Sequence, residues 1–255
     1  MEKDYFQNHT ILLVEGDTDV IFIQALLKMI DFKDVITTDR DHKTPRPTTQ
    51  ERLHLHESGG GSQLVNIFGE IVEDLKIKLE ANQDINLRQV IVLIDGDETQ
   101  AGTQKLTGFN KKLKAARFRT KLTKINIMEK DPNYEIQFGV YVLKDFIGNT
   151  FKDLESLLYS LLKDESLKEC LEGYFKCVGY DTNDKYIHKR KIGVLLPVLK
   201  EFEGNGYFVL IKYFEQYFKT NNEVEAGHPL TKLIDLLQNI KANSHKDNTL
   251  DEPTN

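Results

Sequence analysis

The sequence predicts an α/β fold in which a parallel β-sheet is flanked by helices and followed by a mainly helical C-terminal region. Short, wholly apolar runs stop abruptly at acidic residues, which is typical of strands covered on both faces. Each of these runs precedes a segment with helical spacing of apolar residues, and strands that alternate with helices form parallel sheets. From residue 151 onward the apolar spacing is helical.

The individual elements follow from these patterns. A strand is predicted over Ile11–Val14 and a helix over Val20–Ile30, and the same arrangement recurs with a strand over Val90–Ile94 and a helix over Gln104–Ala116. Further elements are predicted as strands over Val35–Thr37 and Phe138–Leu143 and a crossover helix over Gln63–Leu79.

The predicted domain organisation has three parts. Residues 1–165 form the α/β domain, and the polar segment 40–61, rich in Pro, Thr and Gly, is interpreted as a loop insertion. Residues 166–241 form the helical C-terminal region. Residues 242–255 have little to bury, so a disordered tail is expected there.

Composition limits the classes of function. Forty acidic residues against 34 basic ones give a net charge of −6, so any nucleic-acid surface must be a local basic patch. No apolar run approaches the roughly 18 residues of a membrane span, and the first residues lack the apolar stretch of a secretory signal. We therefore expect a cytoplasmic protein without a membrane partner. Cys170 and Cys177 are interpreted as reduced packing thiols, because two cysteines cannot build a disulfide framework.

Acidic residues stand where two predicted strands end. Glu15 follows one apolar run, Asp95 and Asp97 follow another, and Asp19 opens the first helix. In open α/β sheets, ligands bind beyond the carboxyl ends of the strands. Carboxylates that face one crevice repel one another, and a hard divalent cation such as Mg²⁺ compensates for this. The alternative is that Asp17, Asp19 and Asp97 cap helices.

These motifs resemble the Toprim domain. The segment VEGDTD after the first strand and DGD after a later one match its order of motifs, and the EGxxD form is most similar to OLD-family nucleases and their small stand-alone bacterial relatives. A Gly-x-Leu-Glu-type segment is matched by residues 148–155 (GNTFKDLE), with four additional residues. The resemblance spans residues 11–158. Unlike ATP-driven OLD proteins, the chain contains no GxxxxGK[ST] motif.

The resemblance implies a Toprim fold and Mg²⁺- or Mn²⁺-dependent cleavage of nucleic acid by one or two ions. It implies that Glu15 is a metal ligand or general acid/base and that Asp95 and Asp97 hold the metal. Asp19 and Glu155 would complete a second metal position, although Glu155 also fits a solvated position on a leucine-rich helix. By the same resemblance, a lysine beyond the Asp-x-Asp would stabilise the transition state, with Lys189 and Lys191 as the candidates. It also suggests phage defence or DNA repair as the setting.

A basic stretch is the candidate surface for DNA or RNA, because eight basic residues occur there without an acidic one. They are Lys105, Lys111, Lys112, Lys114, Arg117, Arg119, Lys121 and Lys124. Phe109 and Phe118 would stack on bases or, as the more common alternative, anchor the core. A solvated helix face is the alternative for the charges themselves.

Two other functions fit the same residues. In a phosphatase of the haloacid dehalogenase type, Asp95 would be the nucleophile and Asp97 the acid/base, but such a motif normally opens the domain and Glu15 would stay unexplained. A non-catalytic Toprim-like module would bind nucleic acid or a nucleotide as the partner of a separate ATPase subunit. The chain could also form a homo-oligomer. His54 and His56 are interpreted as bystanders in the insertion, and Gly59–Gly61 as a flexible turn or a phosphate cradle.

Overall fold

A computed structural model of the chain describes residues 6, 9–32, 35–38, 53–94, 99–143, 159, 164–180, 187, 190–192, 194 and 230–245. Within them the strands are β1 (Thr10–Val14), β2 (Val35–Thr38), β3 (Leu53–Glu57), β4 (Gln89–Ile94), β5 (Met128–Lys130) and β6 (Gln137–Val142). The longer helices are α1 (Asp17–Met29), α2 (Gly61–Glu80), α3 (Thr99–Ala115), α4 (Glu165–Cys177) and α5 (Thr231–His245).

The six strands form one sheet in the order β2-β3-β1-β4-β6-β5. All neighbouring pairs are parallel except β5 and β6, which are antiparallel. At the amino ends of three neighbouring strands, Thr10 donates to Gln89 at 3.2 Å and Gln89 donates to Gln137 at 3.1 Å. These bonds join residues that the ladder already pairs, so they stabilise the register. The predicted α/β architecture is confirmed.

Helices cover both faces of the sheet, since every central strand is buried on both sides. Leu12, Leu55 and Leu93 face α1, and buried residues of α4 and α5 belong to the same apolar cluster. Ile11 and Val92 face the other way, toward α2 and α3. The helical C-terminal region therefore shares one core with the α/β part. No helix among the described residues is both long and apolar enough to cross a membrane.

Glycines let α2 and α3 approach each other closely. A Cβ at Gly69 of α2 would lie 2.9 Å from Cε of Lys112, and one at Gly108 of α3 would lie 3.1 Å from Cγ1 of Val65. Each glycine in a helix interior costs about 1 kcal/mol relative to alanine, which the close packing offsets. The aliphatic part of Lys112 is therefore part of this helix contact.

Several predicted boundaries are wrong. Residues 53–57 of the predicted loop 40–61 form β3, which is wholly buried between β1 and β2. The predicted tail 242–255 begins too early, because α5 continues to His245.

The predicted packing role of Cys170 and Cys177 is wrong, since both thiols are free and exposed.

His54 and His56 lie on β3 and not in a loop. Both are about 1 % exposed, on the sheet face that carries Ile11 and Leu13, and their rings meet edge to face with centroids 5.6 Å apart. Burial, and then the charge of His56, lowers the pKa of His54 to about 3. The imidazole of His54 is therefore neutral in the folded protein at any pH well above 3.

Acidification is expected to destabilise the protein through His54. In the unfolded chain this group has a pKa of 6.5, while in the folded protein it is about 3. Between these values the unfolded chain binds one more proton, so the free energy of unfolding falls by about 1.4 kcal/mol per pH unit as the pH decreases. Urea unfolding at pH 7, 6 and 5 measures this slope.

The control for this prediction is a pair of histidine variants. His54→Leu should reduce the slope by about one proton, which is about 1.4 kcal/mol per pH unit. His9→Gln, at a half-buried position outside the core, should leave most of the slope in place. An unchanged slope in His54→Leu would contradict the prediction.

Candidate functional site

The backbone of Glu15 is held at the carboxyl end of β1 by the turn that follows β3. The amide of Ser58 donates to the carbonyl of Val14 at 3.0 Å, and the amide of Gly60 donates to the carbonyl of Glu15 at 2.7 Å. The hydroxyl of Ser58 donates to the same Glu15 carbonyl at 3.2 Å. Two bonds to its own carbonyl and one to the carbonyl of Val14 therefore fix Glu15 at this strand end.

The glycine triplet of this turn has a specific role at each position. Gly59 and Gly60 adopt φ values of 78° and 112°, which side chains other than glycine rarely adopt. Gly61 begins α2 directly beside the Glu15 side chain, where a Cβ would lie 3.1 Å from the Glu15 carboxyl carbon and 3.1 Å from Nζ of Lys105. The turn predicted to be flexible is a defined clamp around Glu15.

The carboxylate of Glu15 forms an ion pair with Lys105 of α3. The two side chains are 16 % and 22 % exposed, so this pair is partly withdrawn from water. It joins residues 90 positions apart and connects the end of β1 to the helix that follows β4. Lys105, predicted as a nucleic-acid contact, is thus brought directly to the candidate catalytic carboxylate.

Asp19 and Asp17 lie in the first turn of α1. Asp19 Oδ2 accepts a hydrogen bond of 3.0 Å from the amide of Gly16, so the capping alternative for this residue is confirmed. Asp17 is exposed on the same turn, where a negative charge favours the helix N-terminus. Asp19 is half-buried and lies four residues after Glu15. Its role as a metal ligand stays a prediction.

Three of the predicted metal ligands follow β4 or belong to the segment after β6. Asp95, Asp97 and Glu155 lie outside the described residues, and the described part of β4 ends at Ile94, one residue before Asp95. Within the described residues no three His, Cys, Asp or Glu side chains group as metal ligands. Of the five predicted metal ligands, Glu15 and Asp19 are the two within the described residues, after β1 and in the first turn of α1.

Of the two lysines predicted to stabilise a transition state, Lys189 lies outside the described residues. Lys191 is buried, forms an ion pair with Glu172 of α4 and has its Nζ 5.0 Å from the centroid of the Tyr159 ring. Burial, and then the hydrogen bond with Glu172, raises the pKa of Tyr159. The structure therefore shows Lys191 in a contact that joins Tyr159 to α4.

The predicted basic surface is mostly exposed, as a binding surface requires. Lys105 and Lys112 are half-buried. The exposed members are Lys111, Lys114, Arg117, Arg119, Lys121 and Lys124. The two phenylalanines are core residues, with Phe109 fully buried and Phe118 6 % exposed, so the base-stacking alternative is wrong.

Comparison with known proteins gives one match. The family described as "Protein of unknown function (DUF3226)" matches residues 9–239. No curated protein and no solved structure matches the chain. The matched range includes every strand of the sheet and extends into α5. The chain therefore belongs to the DUF3226 family.

Proposed function

We propose that this protein is a Mg²⁺- or Mn²⁺-dependent phosphodiesterase acting on nucleic acid, with a Toprim-like site at the carboxyl edge of its sheet. The observation that carries the proposal is the position of Glu15. It is clamped at the end of β1, and β1 lies beside β4, the strand that leads into Asp95-Gly96-Asp97.

The strand register supports a shared site. Leu13 pairs with Val92 in parallel, so β1 and β4 end at the same edge of the sheet. Neighbouring strands are about 4.8 Å apart. This separation is comparable to the distance of about 4 Å between two metal ions that share carboxylate ligands. Side chains that follow β1 and β4 are therefore close enough to bind the same metal centre.

The chemistry of the ligand set fits a hard divalent cation. Glu15 and Asp19 provide carboxylate oxygens, which Mg²⁺ and Mn²⁺ prefer, and Asp95, Asp97 and Glu155 would complete the set. When bound, such an ion would activate a water molecule and stabilise the leaving oxygen of a phosphodiester. Lys105 holds the Glu15 carboxylate in place and adds a positive charge where a phosphate would approach.

The direct test is incubation of plasmid, single-stranded DNA and structured RNA with Mg²⁺, Mn²⁺ or EDTA. We expect cleavage with either metal, none with EDTA, and none by an Asp95→Ala variant. Cleavage that persists in Asp95→Ala would come from a contaminant and would remove the support for the enzyme. Binding without cleavage would favour the non-catalytic module that works beside a separate ATPase.

Phage defence or DNA repair in the cytoplasm is the biological setting that we propose for this activity.

Gly61→Ala is expected to reduce cleavage without unfolding the protein. The added Cβ would push on the ends of two flexible side chains, Glu15 and Lys105, so the melting temperature should change little. Displacement of a catalytic group by about 1 Å can cost about 100-fold in rate.

The matched control for Gly61→Ala is Gly173→Ala, because a Cβ at Gly173 of α4 would meet no atom within 4 Å. This variant should keep full activity. Equal activity of Gly61→Ala and the wild type would contradict the placement of Glu15 in the reaction. Circular dichroism melts of both variants check that the fold is kept.

A further inference from the structure

The segment after α3 carries a series of exposed cations. Residues 116–123 alternate strictly between buried and exposed side chains, and the buried ones include Phe118, Thr120 and Leu122. From Phe118 onward such alternation is typical of an extended chain, in which side chains on one side recur about every 6.6 Å. Arg117 precedes this stretch, with a φ of 60° in the turn that ends α3. The exposed cations are Arg117, Arg119, Lys121 and Lys124. We call residues 117–124 the basic segment.

Two polar side chains fix the basic segment to the fold. The buried carboxylate of Asp131 accepts hydrogen bonds from the amides of Arg119 at 2.9 Å and Thr120 at 3.1 Å, and from the Thr120 hydroxyl at 2.9 Å. The side-chain amide of Asn110 makes two bonds of 2.8 Å with the backbone of Leu122. The cations therefore stand on a rigid support, which lowers the entropic cost of binding a partner.

The basic segment begins at the amino edge of the sheet. Asp131, which holds Arg119 and Thr120, directly follows β5, whose last residue Lys130 pairs with Gln137. Gln137 is the first residue of β6 and pairs with the first residue of β4. This is the edge opposite to Glu15.

The chain after the basic segment reaches the other edge. The amide of Asn126 donates to the carbonyl of Val140 at 2.7 Å, and its side chain accepts from the amide of Val142 at 3.1 Å. Val142 ends β6 and pairs with Ile94, the residue before Asp95. The basic segment thus runs along the β5 side of the sheet toward the strand ends where the proposed catalytic site lies.

We propose that the basic segment binds one strand of a polynucleotide along successive phosphates and leads it to the carboxyl edge of the sheet. This inference rests on the proposed function and specifies its substrate as an extended single strand several nucleotides long. Arg119 and Lys121 stand two positions apart on a fixed backbone, as successive phosphates follow one another along a phosphodiester chain, and arginine binds phosphate through paired N–H groups. The segregation of positive charge in a chain of net charge −6 adds to this.

The test measures the binding of fluorescein-labelled single-stranded DNA and RNA of 20 nucleotides by anisotropy in EDTA, over a range of salt concentrations. The triple variant Arg117→Gln/Arg119→Gln/Lys121→Gln should bind more weakly, with a logarithmic salt slope shallower by about 2, because each phosphate contact contributes about 0.7 on a single strand. The control Lys28→Gln/Lys176→Gln/Lys232→Gln removes three other exposed charges and should keep the wild-type slope.

The outcomes separate this inference from the proposed function. An unchanged slope in the triple variant overturns the inference, even if the wild type cleaves nucleic acid with Mg²⁺. A shallower slope without any cleavage supports the inference and removes the proposed reaction. Equal competition by polyglutamate and by unlabelled oligonucleotide also overturns the inference, because it would point to an acidic protein as the partner.

Discussion

Replacing Glu15 with glutamine is expected to reduce metal-dependent cleavage by more than about 100-fold, because even residues that only support a metal ligand typically contribute 10- to 100-fold. Glutamine keeps the shape of the side chain but removes the negative charge that both a metal ion and Lys105 need. Initial cleavage rates at saturating Mg²⁺ measure the effect.

The stability of Glu15→Gln is expected to stay close to that of the wild type. The Glu15–Lys105 pair is partly exposed, and ion pairs in such positions contribute about 1 kcal/mol or less. Glu73→Gln, at an exposed position of α2, is the matched control and should retain full activity. Full activity in Glu15→Gln, or a loss of similar size in Glu73→Gln, would refute the assignment of Glu15 to the reaction.

Replacing Asp131 with alanine is expected to decrease the free energy of unfolding by about 3 kcal/mol. Its buried carboxylate accepts four hydrogen bonds, from Arg119, from Thr120 twice and from the amide of Asn133 at 2.9 Å. Hydrogen bonds to a charged group contribute about 1.5 to 3 kcal/mol, and buried donors left without an acceptor add to the loss. Urea unfolding at pH 7 measures it, with Asp74→Ala at an exposed position as the control.

The stabilisation by the Asp131 carboxylate depends on pH. Burial acts to raise the pKa of Asp131, but the hydrogen bonds from Asn133, Thr120 and Arg119 outweigh it and lower the pKa below its usual 3.8. A carboxyl group with a lowered pKa stabilises the fold above the unfolded value and loses this contribution as the pH falls through the folded value. The difference in stability between wild type and Asp131→Asn should therefore shrink below about pH 4. A constant difference would show that the charge plays no part.

The fold was predictable where burial alone shapes the sequence. The runs Ile11–Val14 and Val90–Ile94 lie at the centre of the sheet under helices on both faces, so every position is apolar. Strand β3 is equally buried, but His54 and His56 occupy one of its faces and hide its apolar character. Strand β5 has only three residues, which is too short for a periodic pattern.

The candidate site was predictable only in part, for a different reason. Glu15 was identified because it directly follows an apolar strand. The contacts of Glu15 with Lys105 and Gly61 were not predictable, since they depend on how the crossover helices α2 and α3 pack above the sheet. The alternation in residues 116–123 is visible in the sequence, but the clamps by Asn110 and Asp131 that fix it are long-range contacts.

The central place of β1 has a consequence for biosynthesis. Its apolar residues are synthesised before their partners on β4, which are encoded 79 positions later. At about 5 to 20 residues per second, roughly 4 to 16 s pass before the second partner strand exists. During that time the largely apolar β1 lacks one of its two neighbouring strands, so the nascent chain offers chaperones an apolar segment to bind.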